Sequence, residues 1–444
     1  MGSAPSYVVL DRVVHLDKEA VKEESEWAIM ECRDRKTYLR NDHVGDEVVY
    51  GLSLLAQIAE PPDLSKLSIR LSEPPVQVAA RPEEILDDDS VLDLPKRALN
   101  LHTSVQSVAD DLIVFTSCLR NRTHRYLSLS MIPCLPNRCD SSATFQPLPL
   151  RAGGDYTIAL LGRDMRSDRE TTRRFFQDVL CLCPPPPSSR PPPPSSFSAV
   201  TTPWQFKNPL FPPETPNRFK AHMVFSSGGQ AFWANLAQGV LYCSCDDVLT
   251  GGYDVPFCYI PLPPECHLDP MKNQLRLCRT MNCVKDSIKF ASIDMVPPDE
   301  AMMTTWTLTL ATRQWHKDGE LRVASLWELE GFKKAGLPKV KPTSPVLSME
   351  ENGVICFMLN AAEEGVYMVS LNMHTKNIMS STRLSSCPTQ PLGVEFPKHI
   401  QNRRLCSLAN PVPPKRDRAD LEECSTAIKR STGMEGLEGD VLWF

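Results

Sequence analysis

Apolar residues in this chain gather in short runs that break at Gly, Pro, Asp or Ser before any run reaches the length of a helix. Tyr7-Val8-Val9-Leu10 and Val13-Val14 are β-branched or aromatic and predict a first strand. Ile69-Arg70-Leu71 and Leu112-Ile113-Val114-Phe115 follow. Tyr126 to Ile132 alternates with period two, and Tyr156 to Leu161 is bounded by Gly153-Gly154 and Gly162. Ala231 to Leu236 and Gly239 to Cys243 read as a hairpin across Ala237-Gln238, and the prolines of Phe257 to Pro264 place the next strand at a sheet edge. Further strands are predicted at Ile288 to Ile293, Trp306 to Leu310, Val323 to Trp327, Val354 to Leu359 and Val366 to Leu371. The last two are joined by Ala361-Ala362-Glu363-Glu364 and continue through a polar turn into Ile378 to Thr382, a meander such as fills one propeller blade. Successive runs lie roughly ten to twenty residues apart, the spacing of a sandwich, barrel or propeller.

Three stretches depart from this rhythm. Asp17 to Glu26 is charged and reads as a loop with a helical turn. Arg163, Arg166, Arg169, Arg173 and Arg174 alternate with Asp164, Asp168, Glu170 and Asp178, which predicts a salt-bridged surface helix rather than a phosphate site. Pro184 to Pro187 and Pro191 to Pro194 flank Ser188-Ser189-Arg190 and favour extended polyproline geometry in a loop or linker. The expected fold is therefore mainly β, a propeller-like array of short antiparallel strands with a Pro-rich insertion. Its parts are a β-rich half over 1–180, the Pro-rich segment 181–200, a second β-rich half over 201–410 and a flexible polar tail over 411–444.

Composition adjusts this picture in a few places. Forty prolines against twenty glycines disfavour long helices and central strands, which suits many short segments. A net charge of −6 gives no field for polyanions, so no nucleic-acid partner is expected. No stretch approaches the ~18 uninterrupted apolar residues of a membrane helix, so no membrane partner is expected either. The N-terminus lacks a basic-then-apolar leader, and Gly2 with Ser6 fits only the loose acylation pattern. The expected location is intracellular, cytoplasmic or nuclear, not secreted, and the sixteen cysteines then read as reduced thiols.

The residues from Trp233 to Cys243, Phe257-Cys258-Tyr259-Ile260-Pro261-Leu262-Pro263-Pro264, Ile288-Lys289-Phe290, Trp306-Thr307-Leu308-Thr309 and the hairpin from Pro345 to Thr382 resemble a plant family expanded in grasses. That family is the domain of unknown function sixteen-eighteen. The opening Tyr7-Val8-Val9-Leu10-Asp11 and the Pro-rich break extend the resemblance over roughly residues 7 to 400. It implies a fold similar to the β-propeller found behind plant F-boxes, with no established activity and no functional residues to carry over. The chain departs from the family pattern at Ala234 to Gly239, where an acidic residue and a second tryptophan are expected.

Cys181/Cys183 and Cys243/Cys245 have one intervening residue, too few for a zinc knuckle, and read as buried strand thiols. Cys134/Cys139 and Cys278/Cys283 have no convincing second pair, and the nine histidines are scattered singly. Asp87-Asp88-Asp89 lacks the distal Glu of a calcium loop. Ser226-Ser227-Gly228-Gly229 lacks the glycine of a nucleophile elbow and reads as a turn, and Gly433 to Gly439 has the wrong spacing for a phosphate loop. Lys415-Arg416-Asp417-Arg418 is too mixed for a nuclear signal. No catalytic, cofactor-binding or metal residues are expected, and no cofactor.

These readings favour a non-catalytic module whose partner is another protein, with the polyproline segment as a docking candidate. A ubiquitin-ligase substrate receptor is implied by the resemblance alone, and Val48 to Ala59 followed by Pro61-Pro62 is too short for an F-box. An enzyme whose site converges only in three dimensions is the third reading.

Overall fold

The computed structural model describes residues 7–16, 27–30, 52–71, 100–109, 112–120, 126–127, 146–152, 155–167, 174–183, 205–217, 219–268, 275–388, 390–395 and 440–443. Among them, strands form five sheets arranged as the blades of a β-propeller. Blade 1 runs Ala28–Met30, Leu52–Gln57, Leu64–Leu71, Tyr7–Leu16, Asn100–Ala109, Leu112–Arg120 in spatial order. Blade 2 comprises Leu148–Ala152, Asp155–Ser167, Arg174–Cys183, Gln205–Leu210 and Asp254–Pro256. The others are four-stranded: Met223–Ser227, Gln230–Asn235, Gly239–Ser244, Cys258–Pro261 in blade 3, Arg279–Val284, Ser287–Ile293, Met302–Thr309, Gln314–Arg322 in blade 4, and Thr343–Leu347, Val354–Ala361, Gly365–Asn372, Asn377–Leu384 in blade 5. The ring is closed by Leu392–Glu395, which pairs antiparallel with the first strand from Tyr7↔Glu395 to Leu10↔Leu392.

Five hydrophobic clusters occupy the five interfaces of the ring, and strand alternation supplies both sides of each blade. In blade 3, Ala231 and Trp233 face blade 2 while Phe232 and Ala234 face blade 4. In blade 5, Ile355 and Phe357 face blade 4 while Cys356 and Met358 face blade 1. Tyr7 and Val9 face blade 5 while Val8 and Leu10 join Ile158, Leu160, Val179 and Cys181 of blade 2. A strand covered on both faces must be apolar at both parities, which is why these segments read as unbroken hydrophobic runs. Each fully buried Phe or Leu contributes about 1.5–3 kcal/mol. The outer strands Gln314–Arg322 and Asn377–Leu384 are largely polar and exposed, which keeps the sheet edges from pairing with other chains.

Several expectations need correcting. Val323 to Trp327, expected as a strand, is the start of a helix, Val323–Glu328, that seats Val323 and Leu326 on the blade 4–5 core; their i, i+3 spacing outweighs local β propensity. The Arg-rich stretch expected as a surface helix is a hairpin of Asp155–Ser167 and Arg174–Cys183. The expected ion pairing does occur there, across the strands, with Arg163 Nε 3.1 Å from Asp178 Oδ1. That hairpin continues through Cys183, so residues 181–183 belong to blade 2, and the proline blocks beyond them lie outside the described residues. Of the segment expected as a flexible tail, Asp440–Trp443 pairs with Leu112–Arg120. The alternating segment from Tyr126 is described only at Tyr126–Leu127, and Asp17 to Glu26 lies outside the described residues. Ser226-Ser227-Gly228-Gly229 is a turn as read: Gly228 (φ 54°) and Gly229 (φ 72°) form a two-residue hairpin loop that needs positive φ at both positions.

Candidate functional site

The innermost strands Leu148–Ala152, Met223–Ser227, Arg279–Val284, Thr343–Leu347 and Leu392–Glu395 approach their neighbours around the centre of the ring. Polar side chains converge where the chain approaches three of them. Arg12 is placed there by a break in blade 1. The first strand pairs with Leu392–Glu395 through Leu10 and with Asn100–Ala109 only from Val13, so Asp11 and Arg12 fall between partners. On the other edge, Asp11 to Val13 stand opposite Lys66 alone, a bulge between Leu10↔Ser65 and Val14↔Leu67. Arg12 is 7% exposed. Its Nη1 donates to the Val105 carbonyl at 3.3 Å and its Nε to the Gln390 carbonyl at 3.4 Å.

Arg276 sits on a single helical turn, Leu275–Cys278, directly before the innermost strand of blade 4. Its Nη1 donates to Gln390 Oε1 at 3.5 Å and its Nη2 to the His222 carbonyl. Gln390 therefore bridges the two arginines, one through its backbone carbonyl and one through its side chain. His222 precedes the innermost strand of blade 3, and its Nδ1 accepts from the Leu236 N–H at 3.2 Å. With Nδ1 an acceptor, the ring is neutral with its proton on Nε2.

The electrostatics follow from burial. Desolvation first, and the neighbouring Arg276 cation second, pull Arg12 down to about 9, while desolvation lowers Arg276 to about 10. Desolvation, then Arg276 and Lys220, hold His222 down at about 4. Among the described residues neither arginine forms an ion pair with a carboxylate. The fold compensates buried charge elsewhere: Lys289 Nζ lies 2.9 Å from Asp318 Oδ2, and both bond Thr307.

A third buried arginine has a different setting. Arg279, 6% exposed, donates from Nη1 to the carbonyls of Leu236 (2.7 Å) and Cys266, with its guanidinium carbon 5.7 Å from the Phe290 ring centroid. It staples the turn between the middle strands of blade 3. That turn is otherwise fixed by Asn235 Nδ2 to Gln238 Oε1 at 3.1 Å, Ala237 N–H to Asn235 Oδ1 at 2.9 Å, and the Tyr259 hydroxyl to the Gln238 carbonyl at 3.0 Å. Asn235, Leu236 and Ala237 are buried and serve the junction between blades 3 and 4.

Cys181 and Cys183 share the blade 1–2 face, Cys243 lies in the blade 2–3 core, and Cys245 opens the short helix Cys245–Leu249. Cys278 donates to the Leu275 carbonyl at 3.3 Å and Cys283 to Ser227 Oγ at 3.0 Å. Among the described residues no three His, Cys, Asp or Glu side chains are grouped to hold a metal. Cys134/Cys139, Asp87-Asp88-Asp89, Lys415 to Arg418 and Gly433 to Gly439 lie outside the described residues. Sequence reasoning passed over Arg12, Arg276 and His222. The available signal was charge inside apolar runs, at Val9-Leu10-Asp11-Arg12-Val13-Val14 and Leu275-Arg276-Leu277-Cys278-Arg279.

Residues 233–356 match the profile of a family described as "Protein of unknown function (DUF1618)". The chain carries a DUF1618 segment. It runs from Trp233 in blade 3 through all of blade 4 to Cys356 in blade 5, and so contains Arg276 and Arg279 but not Arg12, His222 or Gln390. No curated protein sequence matches the chain. Among solved structures, it resembles the GH32 β-fructofuranosidase of Bombyx mori at 8% identity and a TM-score of 0.27, over 64% of this chain and 60% of that one, so it spans about three fifths of that enzyme's length. It also resembles the catalytic domain of the Coprinopsis cinerea GH62 α-L-arabinofuranosidase (8% identity, TM-score 0.25, 88% and 96% covered). A family 117 glycoside hydrolase produced by Zobellia galactanivorans is a further likeness (11%, 0.23, 70% and 75%). At such scores neither site nor chemistry transfers from those proteins to the chain with the DUF1618 segment. No described helix is long and apolar enough to cross a membrane.

Proposed function

We propose that this protein is a non-catalytic binding module that engages a partner protein at the end of the ring where Arg12, Arg276 and His222 meet. The observation that carries this reading is the charge balance of that cluster: two guanidiniums and a neutral imidazole, bridged by one amide. Such a set recognises and orients, but it holds no nucleophile and no carboxylate pair for acid–base work. The intracellular setting expected from the sequence suits a protein partner.

Affinity purification of the tagged full chain from its own tissue, beside Arg276→Gln and the surface control Lys339→Gln, tests this. Lys339 is exposed and pairs with Glu328 at 3.1 Å. The expected result is a reproducible set of proteins recovered with the wild type and with Lys339→Gln and depleted with Arg276→Gln. Recovery unaffected by Arg276→Gln, or no reproducible partner, overturns the proposal.

A further inference from the structure

We infer that Arg12 and Arg276 together form an oxyanion receptor, a site for one carboxylate or phosphate group held between two guanidiniums. The inference rests on the binding-module reading and names the chemistry of what is bound.

Each guanidinium has five N–H donors. Arg12 uses two of them, at 3.3 and 3.4 Å, and Arg276 two, one of them at 3.5 Å, all to neutral carbonyl oxygens. Three donors on each remain. The nitrogens of the pair that donate to nothing, Arg12 Nη2 and Arg276 Nε, are not fully enclosed, unlike Nε of Arg279, and Arg276 as a whole is partly exposed. Two like charges brought within reach of one glutamine repel each other, and a desolvated cation with no counter-charge is costly to hold in the fold. A fold that supplies Asp318 to Lys289 supplies no described carboxylate to this pair.

An oxyanion resolves both costs at once. It places negative charge between the arginines and accepts the free donors in parallel, the geometry in which a planar fork matches a carboxylate or phosphate. His222 adds a neutral Nε2–H with no acceptor among the described residues, and Lys220 adds a cation nearby. Arg12 is fixed by the ladder break and Arg276 by the turn before an innermost strand, so the two are pre-positioned by different blades. The overall charge of −6 works against an extended polyanion, so the oxyanion is a small free one or a single group on a partner.

The test is thermal unfolding of the full chain with inorganic phosphate, with succinate and with a phosphoserine peptide, each against sodium chloride at matched ionic strength. The expected result is a saturable rise of about 2 °C or more with at least one of them, absent in Arg276→Gln and in Arg12→Gln. Phosphate or succinate acting alone identifies a free anion, and the peptide acting at lower concentration identifies a group borne on a partner. No rise beyond chloride in the wild type, or a rise that persists in both variants, overturns the inference. The two proposals fail separately. Partner capture that depends on Arg276 without any anion effect leaves the binding module and removes the receptor, and an anion effect without a partner does the reverse.

Discussion

Among the described residues neither Arg279 nor the Arg12–Arg276 pair forms an ion pair with a carboxylate, and each guanidinium has two oxygen acceptors, yet Arg279 stands alone as a structural staple while Arg12 and Arg276 stand together. Arg279 spends its best-placed nitrogen on two carbonyls of neighbouring loops and lays its plane near Phe290. Arg12 makes two long contacts, at 3.3 and 3.4 Å, and Arg276 one at 3.5 Å beside a close one to the His222 carbonyl; two of these contacts go to the same residue, Gln390. Burial alone therefore does not separate a structural arginine from a binding one. The setting does: Arg279 lies beside the Phe290 ring with its acceptors on two loops, whereas Arg12 and Arg276 each stand beside a second cation and share Gln390.

The sharpest way to break the comparison is to remove the staple. Arg279→Met keeps the length of the side chain and deletes the donors, leaving the Leu236 and Cys266 carbonyls unpaired inside the blade 3–4 junction. Urea unfolding should show a loss of about 3–5 kcal/mol. A loss below about 1 kcal/mol would mean that these carbonyls find other donors, and Arg279 would then be no more structural than the pair.

The next effect is smaller and depends on pH. His222 links the two settings, since its ring accepts from Leu236, on the turn that Arg279 holds, while its carbonyl accepts from Arg276. Its folded value of about 4 lies below the unfolded 6.5 because of burial, Arg276 and Lys220. Between those values the unfolded chain takes up a proton that the folded chain refuses. Stability is then complete above pH 6.5 and falls as pH drops toward 4, by up to about 3 kcal/mol. His222→Asn offers Leu236 an amide oxygen that does not titrate, so unfolding free energies of the variant should stay flatter over that window. Parallel slopes for the two proteins would show that His222 is not the group responsible.

Much of this architecture was legible beforehand because its physics is local. Paired hydrophobic runs such as Val354 to Leu359 and Val366 to Leu371 specify a hairpin, and runs apolar at both parities indicate sheets covered on both faces. The helix at Val323–Glu328 was not legible, since a short run of Val, Leu and Trp fits a strand equally well until the core it packs on is known. The hairpin of Asp155–Ser167 and Arg174–Cys183 was masked by alternating charges that also suit a helix face. The arginine pair could not be read at all as a pair: Arg12 and Arg276 are joined only by ring closure, which brings Gln390 and the closing strand back to the first. A lone charged residue in an apolar run marks something unusual without naming its partner.

The smallest expected effect is the most informative for the comparison. Arg276→Gln removes a desolvated positive charge and its repulsion with Arg12, while the amide can still donate to the His222 carbonyl. The lost bonds and the relieved charge act in opposite directions, so stability in anion-free buffer should change by less than about 1 kcal/mol. The same variant should lose any stabilisation that an oxyanion gives the wild type. Arg279→Met and Arg276→Gln then differ in both respects: the first unfolds the junction and says little about ligands, and the second leaves the fold intact and removes the response. A large destabilisation by Arg276→Gln in the same buffer would place Arg276 with Arg279 among the staples, because only an arginine whose existing bonds hold the fold together costs that much to remove.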